Sequence, residues 1–123
     1  MKIISFNINS VRARPHQLEY IRDHLDPDVI GLQETKVHDD EFPIELVNEI
    51  GYHCEFWGQK GHYGVALLSK KKPLEISKGF LKDTAEDQKR FIQGKYKFKN
   101  SEILILNGYF PQGENRNHET KFP

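Results

Sequence analysis

A chain of 123 residues is long enough for one compact domain and too short for two of ordinary size. Its 18 Lys and Arg residues balance its 18 Asp and Glu residues, which argues against binding polyanions through overall charge. A single cysteine excludes an intrachain disulfide, and no apolar run approaches the roughly 18 residues that a membrane span needs. With no signal-type segment at its start, the sequence predicts a cytoplasmic protein without membrane association.

The first third of the chain has the pattern of a β-α-β unit. Residues 2–7 mix apolar and polar side chains and end at Asn7, which suits a short strand. Residues 14–24 carry apolar side chains at helical spacing, with a proline where the first turn tolerates one. Val29–Gln33 is a short apolar run that predicts a buried strand, and Glu34 lies at its end.

The rest of the chain predicts one short helix and several further strands. Pro43 opens the helix and Gly51 ends it. Strand patterns occupy residues 52–57, 65–68, 74–80, 91–98 and 103–110. No internal repeat or linker divides the chain, so we predict one α/β (α+β) unit with a single mixed β-sheet and helices on one face.

Polar residues stand at the ends of several predicted strands, where α/β proteins gather their ligands. Asn7 and Glu34 end the first two strands, and Asn107 and Tyr109 end the last. Each has an ordinary structural explanation: a solvated glutamate, an asparagine turn, a tyrosine packed in a core. They converge only if their strands are neighbours, which the order along the chain does not establish.

Several unbroken stretches of the sequence resemble the exonuclease III family of nucleases. The matching stretches are Ser-Phe-Asn-Ile-Asn at 5–9, Arg-Ala-Arg-Pro-His-Gln-Leu at 12–18, Pro-Asp-Val-Ile-Gly-Leu-Gln-Glu-Thr-Lys at 27–36, Gly-Gln-Lys-Gly-His-Tyr-Gly-Val-Ala-Leu-Leu at 58–68 and Asn-Gly-Tyr-Phe-Pro-Gln-Gly-Glu at 107–114. They follow one another with matching spacing along the whole chain, which is far more specific than one short motif.

The resemblance implies a four-layered α/β sandwich with two sheets face to face, of which residues 1–123 would form the N-terminal half, a single incomplete domain. It implies that Glu34 binds a metal ion, Mg²⁺ or Mn²⁺, and that Tyr109 and Asn7 belong to the catalytic site. Arg90 falls where the family has a phosphate-contacting arginine. Phosphates of double-stranded DNA would also be held by Lys60, Gln112 and Asn107, which would position DNA rather than read its sequence.

The resemblance also implies that part of the site lies outside this sequence. The family's general base and remaining metal ligands belong to Gly-Asp-x-Asn and Ser-Asp-His motifs, and neither occurs here. We therefore expect a fragment, nearly inactive alone, whose partner is the C-terminal half of the same domain. Ser10 departs from the family's usual glycine, where it would restrict a turn with positive φ.

Three functions are compatible with these features. The favoured one is a Mg²⁺-dependent DNA phosphodiesterase of DNA repair, acting as a 3′-to-5′ exodeoxyribonuclease on duplex DNA and as an AP endonuclease. A superfamily phosphatase acting on an inositol phosphate or lipid would keep the fold and change the substrate. A non-catalytic DNA-binding fragment would bind without cleaving.

Overall fold

The computed structural model describes residues 1–58, 64–78 and 91–108. Four residues assigned a role by the resemblance, Lys60, Arg90, Tyr109 and Gln112, lie outside the described residues. The elements are β1 (Ile3–Asn7), α1 (Pro15–Leu25), β2 (Val29–Gln33), a 3₁₀ turn (Asp39–Glu41), α2 (Ile44–Glu49), β3 (His53–Gly58), β4 (Gly64–Ser69), β5 (Glu75–Lys78), β6 (Phe91–Phe98) and β7 (Ser101–Gly108). Within these ranges, no helix has both the length and the apolar character needed to cross a bilayer.

The described strands form two sheets, which corrects the prediction of a single mixed sheet. The first sheet has the order β1-β2-β4-β3, with β1 and β2 parallel and the other pairs antiparallel. The second sheet, β5-β6-β7, is antiparallel throughout. Apolar periodicity tells whether a segment is a strand and which face it buries, but it does not tell which strand it pairs with. The mixed α/β class itself is confirmed.

Burial along the strands reflects their places in the two layers. β4 is buried at every residue and β2 at all but its last, because both of their faces are covered. β6 alternates between buried and partly exposed residues, as expected of a sheet covered on one face. The outer face of β7 leaves Leu104 and Leu106 about half exposed.

Two hydrophobic cores hold the layers together. The first lies between the first sheet and the helices and includes Leu18 and Ile21 of α1 together with Ile30 and Leu32 of β2. The second lies between the two sheets and includes Val29, Val65, Leu67, Ile92, Tyr96 and Ile105. Burying one such aliphatic side chain stabilises the fold by about 1.5 to 3 kcal/mol, so both cores contribute substantially.

Helix α1 connects the parallel strands β1 and β2, as a β-α-β unit requires. Pro15 begins it, where the missing N–H is no loss. Asp26 ends it in a left-handed conformation with φ of 46°, and its N–H donates to the carbonyl oxygens of Ile21 and Arg22. Tyr52, just before β3, holds the segment between α1 and β2 in place, because its hydroxyl donates to the carbonyl of Pro27 at 2.9 Å.

The buried thiol of Cys54 on β3 should be nearly inert. Burial, with a smaller contribution from the charge of Glu55, raises the pKa of Cys54 to about 11. At pH 8 the thiolate fraction, and with it the rate of reaction with a disulfide reagent, should be about two orders of magnitude below that of an exposed cysteine. The same chain in guanidinium chloride is the control and should react fast. Equal rates in the two conditions would show that Cys54 is accessible.

Candidate active site at the ends of the first two strands

Parallel pairing of β1 with β2 brings two of the predicted site residues together. Asn7 is in register with Gln33, so it stands beside the end of β2, where Glu34 follows. The Asn7 side-chain amide donates to the Glu34 carboxylate, with 2.8 Å between Nδ2 and Oε2. The convergence predicted for these two residues is therefore confirmed.

Asn7 also forms the turn that its position after a strand suggests. Its Oδ1 accepts a hydrogen bond from the backbone N–H of Asn9 at 3.1 Å, the pattern of an asparagine turn. The same side chain thus shapes the loop through its oxygen and holds Glu34 through its nitrogen. The structural interpretation of Asn7 is therefore confirmed, and its catalytic role stays a prediction.

Backbone hydrogen bonds continue the β1–β2 ladder into the loops beyond the two strands. The N–H groups of Ile8, Ser10 and Val11 donate to the carbonyl oxygens of Gln33, Glu34 and Thr35 at 3.1, 2.8 and 3.0 Å. These bonds hold the loop after β1 against the loop after β2. Glu34 is therefore fixed by its own backbone as well as by its side chain.

Four residues in these loops adopt the left-handed backbone conformation that favours glycine. They are Asn9, Ser10, Glu34 and Lys36, with φ of 51°, 88°, 57° and 61°. Such a conformation costs a residue other than glycine about 1 to 3 kcal/mol, and it persists only where surrounding contacts enforce it. Here the continued backbone ladder supplies those contacts, and the strained segment includes the predicted metal ligand.

A positive charge stands beside Glu34. The Lys36 ammonium lies 3.6 Å from Glu34 Oε1, and it donates to Oδ1 of Asn9 at 2.5 Å. Both side chains of the ion pair are mostly buried, with 28% of Lys36 and 19% of Glu34 exposed. Reasoning from the sequence did not single out Lys36. The sequence offers one indication that Lys36 belongs to the site, which is its position two residues after Glu34. It does not show the turn that brings the two side chains together.

The structure places Asn107 between the two sheets rather than on a surface. It is only 6% exposed. Its Nδ2 donates to the carbonyl oxygens of Leu32 and Ala66, each at 2.8 Å, and its Oδ1 accepts from Nε2 of Gln33 at 2.6 Å. Contact of Asn107 with a DNA phosphate stays a prediction, and the bonds seen here are all to the protein.

The chemistry of Glu34 and its neighbours suits a hard cation. Mg²⁺ prefers carboxylate oxygens and water, and takes only one or two protein carboxylates where a phosphate completes its shell. Glu34 offers a partly exposed carboxylate that Asn7 holds in a fixed orientation. Within residues 1–58, 64–78 and 91–108, no group of three or more His, Cys, Asp or Glu side chains forms a complete metal cage. The described residues therefore fit one part of a Mg²⁺ site.

Known proteins resemble this chain over nearly its whole length. A profile of the endonuclease/exonuclease/phosphatase family matches residues 4–118. The chain belongs to this family. It is 57% identical to exodeoxyribonuclease III of Haemophilus influenzae over 123 residues, a match that covers all of this chain and 46% of that protein. It is 29% identical to the DNA repair nuclease APEX1 of Danio rerio over 117 residues, covering 90% of this chain and 36% of that protein.

Solved structures of nucleases share the fold of this family member. The Neisseria 3′ phosphatase NExo, bound to a product DNA hairpin, superposes with a TM-score of 0.83 at 32% identity, covering 93% of this chain and 43% of that one. An AP endonuclease from Archaeoglobus fulgidus gives a TM-score of 0.80 at 39% identity, covering 92% and 42%. The chain thus spans less than half the length of these relatives.

Ser10 provides a test of the strained loop in this family member. Its φ of 88° suits glycine, so the free energy of unfolding of Ser10→Gly should exceed that of Ser10→Ala by about 0.5 to 1 kcal/mol, after the greater freedom of glycine in the unfolded chain is subtracted. Ser10→Ala is the control, because it keeps the strain and removes the 3.3 Å bond from the Ala13 N–H to Ser10 Oγ. Urea denaturation measures both. A glycine variant less stable than the alanine variant would contradict the strain.

Proposed function

We propose that this chain is the N-terminal half of a Mg²⁺-dependent DNA phosphodiesterase of DNA repair, with 3′-to-5′ exodeoxyribonuclease and AP endonuclease activities. The observation that carries the proposal is the Asn7–Glu34 pair, 2.8 Å apart at the ends of two neighbouring parallel strands. It occurs in a chain 57% identical to an exodeoxyribonuclease III. A structural relative solved with a product DNA hairpin supports duplex DNA as the partner.

Glu34 would be a ligand of the Mg²⁺ ion, and Asn7 would keep its carboxylate turned toward that ion. When bound, the ion would draw charge from the phosphate oxygens and thereby stabilise the transition state. Mn²⁺ would serve in the same place, because it also accepts oxygen ligands. Because Asn7 already fixes the Glu34 carboxylate, that side chain would lose less conformational entropy when the cation binds.

Hydrolysis needs a water oxygen to bond to phosphorus while one phosphorus–oxygen ester bond breaks, and a base to accept the proton of the water. In this proposal, the base belongs to the C-terminal half of the domain. Tyr109 would donate a hydrogen bond to the phosphate, and Arg90, Lys60 and Gln112 would hold flanking phosphates. These four roles rest on the resemblance to exonuclease III. A cytoplasmic location is likewise part of the proposal.

The first experiment asks whether the chain acts alone. Residues 1–123, incubated with an abasic duplex and Mg²⁺, should cleave at a rate close to that of the buffer, because no base activates the water. Adding EDTA should therefore change little. Robust cleavage that EDTA abolishes would show that the chain contains a complete site and would contradict the division between two halves.

The second experiment supplies a C-terminal half from a relative. A chimera joins residues 1–123 to the part of Haemophilus influenzae exodeoxyribonuclease III that follows the matched region, and its cleavage of an abasic duplex is measured with Mg²⁺. Glu34→Gln keeps the size of the side chain and removes its charge, so kcat should fall about 100-fold or more. The matched control is Glu19→Gln, on the exposed face of α1, which should leave kcat unchanged.

Three results in the chimera would count against the proposal. Equal kcat values for Glu34→Gln and the unsubstituted chimera would show that Glu34 is not a ligand of the metal ion. Cleavage of an inositol phosphate in preference to the abasic duplex would favour the phosphatase alternative. Binding of duplex DNA without any cleavage, by a chimera with a native circular dichroism spectrum, would favour the non-catalytic one.

A further inference from the structure

The side-chain amide of Asn107 makes its hydrogen bonds with other residues of the protein. An asparagine amide has two N–H donors, and both are taken by the backbone carbonyls of Leu32 and Ala66. Those two residues are partners across β2 and β4, so a single nitrogen bridges two strands of the first sheet from a strand of the second. The side-chain amide of Asn107 thus links the two sheets in this arrangement.

The backbone of β2 is shaped to receive this side chain. A Cβ at Gly31 would lie 3.1 Å from Cγ of Asn107, closer than ordinary contact. Glycine therefore lets the amide lie against the strand. An unpaired buried amide costs about 1 to 3 kcal/mol, so the complete pairing of Asn107 favours this one alignment of β7 with β2.

Gln33 extends these hydrogen bonds to β1, the strand that ends at Asn7. Its Nε2 donates to Oδ1 of Asn107 at 2.6 Å and to Oγ of Ser5 at 3.0 Å. Ser5 lies on β1, two residues before Asn7. Gln33 thus joins β7 to both strands of the candidate site, and it is the residue immediately before Glu34.

We propose that Ser5, Gln33 and Asn107 form an inter-sheet clasp that positions Glu34 for the cation. The clasp fixes the last residue of β2, after which the backbone turns to the left-handed conformation that presents Glu34 to Asn7. Gln33 and Asn107 are positioning residues, because they act through Glu34 and touch no substrate in this proposal. The inference deepens the proposed metal site and rests on it.

Gln33→Met in the 123-residue chain is the main test. Methionine keeps the length of the side chain and removes the hydrogen bonds that the Gln33 amide donates to Asn107, Ser5 and the Gly31 carbonyl. The affinity of Mn²⁺ is measured from the paramagnetic broadening of the Glu34 and Asn7 backbone amide signals in the NMR spectrum. Loss of a residue that orients a metal ligand should weaken Mn²⁺ binding about tenfold or more. The ³J coupling between HN and Hα of Glu34, which reports φ, should change as well.

The matched control separates positioning from stability. Ile105→Val trims the inter-sheet core on β7, two residues from Asn107, and should lower Tm without touching the clasp. We expect its Mn²⁺ affinity and its Glu34 coupling to equal those of the unsubstituted chain. If Gln33→Met lowers Tm and leaves both other quantities unchanged, the clasp is only structural and the inference is wrong.

Two further readouts cover the remaining outcomes. Ser5→Ala removes one exposed member of the clasp and should weaken Mn²⁺ binding about threefold, so it decides the question if Gln33→Met does not fold. Unchanged affinity and coupling in Ser5→Ala would then overturn the inference. If the unsubstituted chain binds no Mn²⁺ near Glu34, the same titration is made with the chimera, which supplies the remaining ligands. Absence of binding there as well would contradict the proposed metal site, and the Glu34 coupling would then be the test of the clasp.

Discussion

The parallel pairing of β1 with β2 is the constraint on which the candidate site depends. Asn7 and Glu34 are 27 positions apart in the sequence and come within 2.8 Å because their strands run side by side in the same direction. A register shifted by one residue would turn every side chain of a strand to the opposite face. The buried face of α1 and the apolar run of β2 oppose that shift, since it would take Ile30 and Leu32 out of the core between the first sheet and the helices.

The second sheet adds a second constraint on the same strand. It covers the face of β2 that carries Val29, Gly31 and Gln33, while the helices cover the opposite face. A strand enclosed on both sides cannot bend to relieve strain at its end, so the left-handed conformation at Glu34 is held from both layers. The polar contact of Gln33 with Asn107 lies at the rim of an otherwise apolar interface, where an unpaired amide would be costly.

Much of this architecture was predictable from local patterns. The rest was not predictable, because it depends on contacts between segments that are distant in the sequence. The bounds of β2 and β6 follow from their apolar content and flanking residues, and Ser10 was correctly placed in a turn with positive φ. The division into two sheets was missed because pairing depends on contacts between distant segments. The buried place of Asn107 was missed for the same reason: its partners, Leu32 and Ala66, lie 75 and 41 positions away.

Lys36 is the positive charge with which the proposed cation would compete for Glu34. A divalent ion at Glu34 must compete with the ammonium 3.6 Å away, but that ammonium also has the oxygen of Asn9 as a second partner. Lys36 can therefore give up the carboxylate without losing all of its partners. The charge of Glu34 is balanced in this arrangement, which offsets part of the cost of burying a carboxylate.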